Sequence, residues 1–246
     1  MNALEASAAR NRWARRNVGE KALLCGGLLL LAISLPPWPA AALIIAAVSV
    51  AAVVARVPAG LFLALWSAPA AFVAVGILPL LFSVSTDGLV WSPTGPQRAA
   101  EVVARATAAI GCTMLFTVTT PLSEVLAWAA RSGIPRTLTY LAELIYRMVG
   151  TLAGTAKMMH EAQAQRLGHV TRKGLLTGVA AQSANLFVLA FQRARRLGEG
   201  LELRAEPGAA EVMVIDRPRD GRFLSVALAV LVAVVAATAL VRGWLP

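Results

Sequence analysis

Two stretches of this sequence, residues 61–82 and 223–241, contain no charged side chain at all. Each is about as long as a helix that crosses a hydrocarbon core of roughly 30 Å. Lipid offers the backbone no hydrogen-bond partner, so such runs close their hydrogen bonds internally, as helices. The sequence therefore predicts an all-α integral membrane protein. The 246 residues are 58% hydrophobic, above the roughly 45–50% of soluble domains, and the excess is concentrated in runs of this kind.

Three further apolar runs, 22–35, 40–55 and 99–119, bring the expected number of transmembrane helices to about five. Pro36, Pro37 and Pro39 separate the first two, and Trp38 among them suits a membrane interface. Pro69 and Pro79 predict a kinked third span. An outer loop, 83–97, follows it. Glu101 and Arg105 stand four apart in the fourth span, a spacing that pairs them on one helix face. Ionisable residues inside a span are functional candidates; the bland alternative is an ion pair near the interface. Nothing after the first apolar run resembles a cleavage site for a signal peptide. Cys25 and Cys112 both lie in apolar runs and are expected to behave as small buried hydrophobes.

The net charge of +10 is distributed unevenly. Twenty of the 23 Lys and Arg residues fall before the first span, between the second and third, or between the fourth and fifth. Lys and Arg collect in cytoplasmic loops, so a five-span chain has its N-terminus in the cytoplasm. Three regions result: 1–119, a basic N-terminal segment and four spans; 120–222, a cytoplasmic helical segment; and 223–246, the last span.

The middle region is helical by pattern. Leu138, Leu141, Ile145, Met148, Leu152, Ala156 and Met159 step by three or four, an amphipathic stripe. Pro135 stands ahead of it as a start signal and Gly168 beyond it as a stop. Gly150 and Gly154 form a G-x-x-x-G pair that lets another helix approach closely. A second helix is expected from about Asn185, on Leu186, Ala190, Ala194, Leu197 and Leu201, ending at Pro207 and Gly208. A shorter amphipathic piece, 122–130, ends at Gly133. The two long helices end alike. Ala162 stands four before Arg166, and Gly200 stands four before Arg204. One helical turn separates each small residue from its arginine and opens space beside the stem. A guanidinium presents a rigid fork of donors for carboxylates and carbonyls; the bland reading is that each complements a helix dipole.

Several chemistries find no footing. None of the three lysines follows a glycine, so there is no P-loop. His160 and His169, nine apart, fall on opposite faces of one helix and share no metal there. No hydrolase or metalloprotease motif occurs.

The middle region resembles the transmembrane (T) component of energy-coupling factor transporters, and most closely the cobalt type, the CbiQ family. Gly133-Ile134-Pro135-Arg136 looks like that family's start of a long helix, and Tyr146-Arg147 like a pair inside it. Ala162-Gln163, with Arg166, Leu167 and Gly168, resembles the first arginine signature. Arg193-Ala194, then Gly200 through Leu203, Arg204 and Ala205, resembles the second. The likeness covers about 120–206; the rest agrees in layout. Where the family usually reads Ala-Arg-Gly, this chain has Gln165-Arg166-Leu167 and Leu203-Arg204-Ala205.

The resemblance implies a non-catalytic scaffold without a cofactor of its own. ATP would be bound by two partner ATPase subunits of the ABC type. They would receive Arg166 and Arg204 in surface grooves, with Ala162, Leu167, Gly168, Gly200, Leu203 and Ala205 around them. The other implied partners are a substrate-binding membrane subunit that takes up cobalt and a small accessory membrane subunit. Anionic lipid headgroups are expected against the basic face, and nucleic acid is not. The place implied is a bacterial inner membrane. Rival readings are a stand-alone secondary transporter or channel using Glu101 and Arg105, an intramembrane lipid enzyme, and a segment that only binds anionic lipid.

Overall fold

The computed structural model describes residues 7–8, 11–14, 16–85, 88–91, 94–166, 171–203 and 220–244. They form helices α1 (Val18–Ser34), α2 (Pro37–Val54), α3 (Ala59–Gly76), α4 (Gly95–Thr119), α5 (Leu122–Arg131), α6 (Arg136–Gln165), α7 (Arg172–Glu202) and α8 (Gly221–Trp244). The protein is an all-α membrane protein with one small β addition. From the last residue of the expected third span into the expected outer loop, β1 (Phe82–Ser85) and β2 (Gly88–Trp91) pair antiparallel, Phe82 opposite Trp91. The chain divides into two units, one of residues 1–125 and 215–246, the other of 126–214.

The first unit is a bundle of apolar helices. α4 packs against α1, α2 and α3, and α8 against α1 and α2. Its core residues recur every three or four positions: Leu24, Leu28 and Ala32 on α1; Ile44, Val48 and Ala52 on α2; Ala108, Cys112 and Leu115 on α4. Many are small, which lets backbones approach closely where there is no water to drive association. Gly111 is such a place. A β-carbon there would stand 3.4 Å from Val48 and 3.5 Å from Trp66. Trp66 donates its indole N–H to the Thr107 carbonyl at 3.1 Å. Cys25 and Cys112 are free and buried, as their apolar settings predict.

Length and composition qualify α2, α4 and α8 to cross a membrane, together with residues 173–200 of α7. α1 has 17 residues, and the apolar stretch of α3 is short, Ala59–Val73. The third span is thus shorter than the 61–82 expected. Pro69 stays inside α3, but Pro79 falls in a separate 3-10 turn, Leu78–Leu81. α1 and α2 are two separate helices: Leu35 and Pro36 are extended between them.

In the second unit α6 and α7 pack as an antiparallel pair. Gln163 donates to the Gly178 carbonyl at 3.4 Å, Gln182 to the Ala156 carbonyl at 2.7 Å, and Arg193 to Thr151 Oγ1 at 3.5 Å. Partner numbers fall on one helix as they rise on the other. Met148, Leu152, Ala156 and Met159 are half-buried in this seam, whereas Leu138, Leu141 and Ile145 of the same stripe are exposed. Among the described residues the close approach expected at Gly150 and Gly154 does not occur; both are open. It occurs at Gly178 instead, whose missing side chain makes room for Gln163, 3.0 Å from where a β-carbon would lie. α7 starts at Arg172, thirteen residues before the Asn185 expected. Residues 174–192 carry no charge and little helical periodicity, which hid its first half.

Candidate coupling site

The first arginine signature sits where α6 stops. The Arg166 N–H reaches the Ala162 carbonyl at 3.3 Å and the Gln163 carbonyl at 3.2 Å, so this residue caps the helix. Within the signature the two polar side chains divide the work. Gln163 ties α6 to α7, while Arg166 is exposed and, among the described residues, pairs with no carboxylate or carbonyl. Ala162, one turn earlier, is exposed too, leaving the stem of Arg166 uncrowded.

The second signature begins at the other end of the pair. Gly200 is half-buried on α7, and Leu203, just past the helix, is 86% exposed, with its N–H on the Glu199 carbonyl at 3.3 Å. Arg204 and Ala205, like Leu167 and Gly168, lie outside the described residues. Because α6 and α7 run antiparallel, Arg166 is beside the start of α7. Gly200, where the second signature starts, lies 28 residues after the first residue of α7, about 42 Å along the helix axis. Near that end of α7, Arg195 and Glu199, four apart, pair at 3.2 Å.

Glu101 and Arg105 do not form the expected pair. Arg105 Nη2 instead donates to the Leu35 carbonyl at 3.2 Å, at the exposed end of α1. A side chain reaching an orphan carbonyl at a helix C-terminus is a capping role. Among the described residues no group of three His, Cys, Asp or Glu gathers to hold a metal ion.

Reading the sequence by residue type counts the charges of 10–21 as topology signals only, yet these residues close the opposite end of the bundle. Asn11 Nδ2 donates to the Val118 carbonyl at 3.0 Å, and the Arg12 N–H donates to the Ala55 carbonyl at 3.1 Å. Lys21, fully buried, donates to the Thr119 carbonyl at 3.1 Å and lies 3.8 Å from the Glu124 carboxylate. Glu20, 5% exposed, accepts the Asp220 N–H at 2.6 Å. Arg16 pairs with Asp220 at 2.8 Å and stacks over Phe223 at 4.6 Å, and Trp13 meets the same ring edge-on at 5.1 Å. Asp220 caps α8 by accepting the Arg222 N–H. Partial burial raises its carboxyl, but the hydrogen bonds from Arg222 and Arg16 and the Arg16 charge prevail and hold it below the ordinary value of 3.8. The start of α1, the ends of α2 and α4 and the start of α8 thus share one end of the unit.

Residues 10–208 match the cobalt transport protein family CbiQ, a span holding both signature helices and most of the N-terminal clasp. The chain belongs to the CbiQ family. A cobalt transport protein CbiQ of Rhodobacter capsulatus is 38% identical over 207 residues, 84% of this chain and 85% of its own length. The CbiQ of Salmonella typhimurium is 23% identical over 221 residues, covering 85% of this chain and 98% of that one. A protein described as a fused cobalt transport protein CbiMQ, from Methanocorpusculum labreanum, is 25% identical over 202 residues, which make up 34% of it. Membership in CbiQ makes this a cobalt transport protein, and fits a membrane bundle joined to an amphipathic helix pair.

Proposed function

We propose that this chain is the non-catalytic transmembrane scaffold of an ECF-type importer. It couples ATP hydrolysis in two ABC-type ATPase subunits to the uptake of cobalt, or a related metal ion, by a separate substrate-binding membrane subunit. Arg166 and Arg204 are its contacts to the ATPases. A small accessory membrane subunit completes the complex in a bacterial inner membrane, and the N-terminus faces the cytoplasm.

The observation that carries this reading is Arg166, exposed at the cap of a 30-residue amphipathic helix in a CbiQ-family chain. Its guanidinium is left available for a carboxylate or carbonyl of another protein. The spacing of the two signatures supports two separate ATPase contacts. The relative named as a fused cobalt transport protein supports a membrane partner. Orientation follows from Arg12, Arg16 and Arg56 at the clasped end, since the positively charged end of a bundle faces the cytoplasm. α7 qualifies as a span by composition, but Thr119 and Asp220 share that end. That shared end argues against a single crossing between them. Its exposed Leu176, Phe187 and Phe191 serve as a surface for the membrane partner.

The test is purification in detergent from a host expressing the natural partners. An ATP-binding-cassette protein should co-purify with the wild type and be lost from Arg166→Glu/Arg204→Glu. That double variant should still insert but show no ATP-dependent cobalt uptake; uptake at the normal rate would reject the reading.

A further inference from the structure

The chain leaves the membrane unit after Val125 and returns to it at 215. The anchors flanking both crossings are held by two consecutive residues in the first turn of α1. Lys21 holds the way out, through the Thr119 carbonyl at the end of α4 and Glu124 near the start of α5. Glu20 holds the way back, through the Asp220 N–H at the start of α8. Arg16, one turn earlier, grips the same Asp220 through its carboxylate.

Orientation of the chain does not require this arrangement. Charges that only set topology do so from water at the membrane surface, whereas Glu20 is 5% exposed and Lys21 not at all. Burying an ionised group is costly unless partners compensate. Here each buried charge is directed at a different connection, and the two connections have no other link in sequence. Any displacement of the helix pair 136–202 that is transmitted along the chain reaches the bundle at these two points.

We propose that Glu20 and Lys21 are positioning residues for coupling: a pivot that converts movement of the amphipathic helices into movement of α4 and α8. This rests on the coupling role proposed above. Lys21→Met keeps the length of the side chain and removes its charge. Glu20→Gln keeps the shape and weakens the acceptor. Glu124→Gln, at a position 21% exposed, tests the Lys21 arm without altering the buried lysine itself.

The experiment uses the full transporter in proteoliposomes, reading ATP hydrolysis and uptake of radiolabelled Co2+ in parallel. Amide hydrogen exchange is followed over 122–131, 220–226 and, as a reference, 37–54. The variants should retain bound ATPase and hydrolysis, with uptake per ATP reduced by at least about fivefold. Exchange should rise over 122–131 in Lys21→Met and Glu124→Gln and over 220–226 in Glu20→Gln, with 37–54 unchanged. Lys21→Arg should restore uptake per ATP. Unchanged exchange would overturn the pinning, and raised exchange with normal uptake per ATP would overturn the coupling role. If Lys21→Met fails to insert, Glu124→Gln and Glu20→Gln decide by the same two readings. If no ATPase accompanies the wild type, the scaffold reading itself fails and takes the coupling role with it, while exchange still decides the pinning.

Discussion

Asn11 turns its side-chain amide toward three carbonyls, those of Ser7, Ala8 and Val118. The last of these is an orphan carbonyl at the end of α4, which a helix cannot satisfy from within. Replacing Asn11 with Leu removes the donor from a buried site and should cost about 1–3 kcal/mol, seen as a lower unfolding temperature in detergent. Asn11→Asp should be worse, because it sets an anion against the same carbonyls. Asp220 yields a prediction in pH. Its folded-state value lies below its unfolded one, so its contribution is complete above the ordinary value of 3.8 and is lost as pH falls through the lower, folded value. A stability profile of the wild type should therefore drop in acid by more than that of Asp220→Asn. The two should not converge on approaching neutrality, where the wild type stays the more stable. None of these contacts could be read from residue types. Asn11 and Val118 are 107 residues apart, and Glu20 and Asp220 are 200 apart; a sequence reading sees only that arginines precede a hydrophobic run.

Individual helices were legible where an apolar run is long enough to span a bilayer, as in α4 and α8, where prolines set off a shorter one, as in α2, or where an amphipathic period persisted, as in α6. They were less so where neither signal was clean. α3 is cut short because Gly76 and Pro79 interrupt an otherwise uniform run, and α7 was half-missed because residues 174–192 carry no charge to mark a polar face. Arg166 was legible as an exposed helix end. That Gln163 is spent on packing, and that Arg105 caps α1, needed the neighbouring helix to be in place. Packing at this scale can be tested at Gly111. Gly111→Ala fits at ordinary contact distance from Val48 and Trp66 and should be tolerated. Gly111→Leu wedges α4 away from α2 and α3 and should cost about 1–3 kcal/mol, read as loss of monodisperse protein after heating in detergent.

The membrane unit is organised around one charged end. Both native cysteines are buried, so a membrane-impermeant maleimide can read the topology of single-cysteine variants against a low background. Trp38→Cys, at an exposed position at the start of α2, should label in intact cells. Arg56→Cys, beyond the far end of α2, should label only after the membrane is opened. The reverse pattern would invert the orientation proposed here. The clasp also has a consequence for the order in which the protein is made. Asp220 is translated 200 residues after Glu20, a delay of about 10–40 s at ordinary synthesis rates. Throughout that interval the first helix carries an acid whose partner does not yet exist. It has every reason to keep its charged turn in water at the membrane surface. The nascent bundle is then left unlocked until the final hydrophobic segment arrives, and the last helix to be synthesised is the one that lets the first one settle.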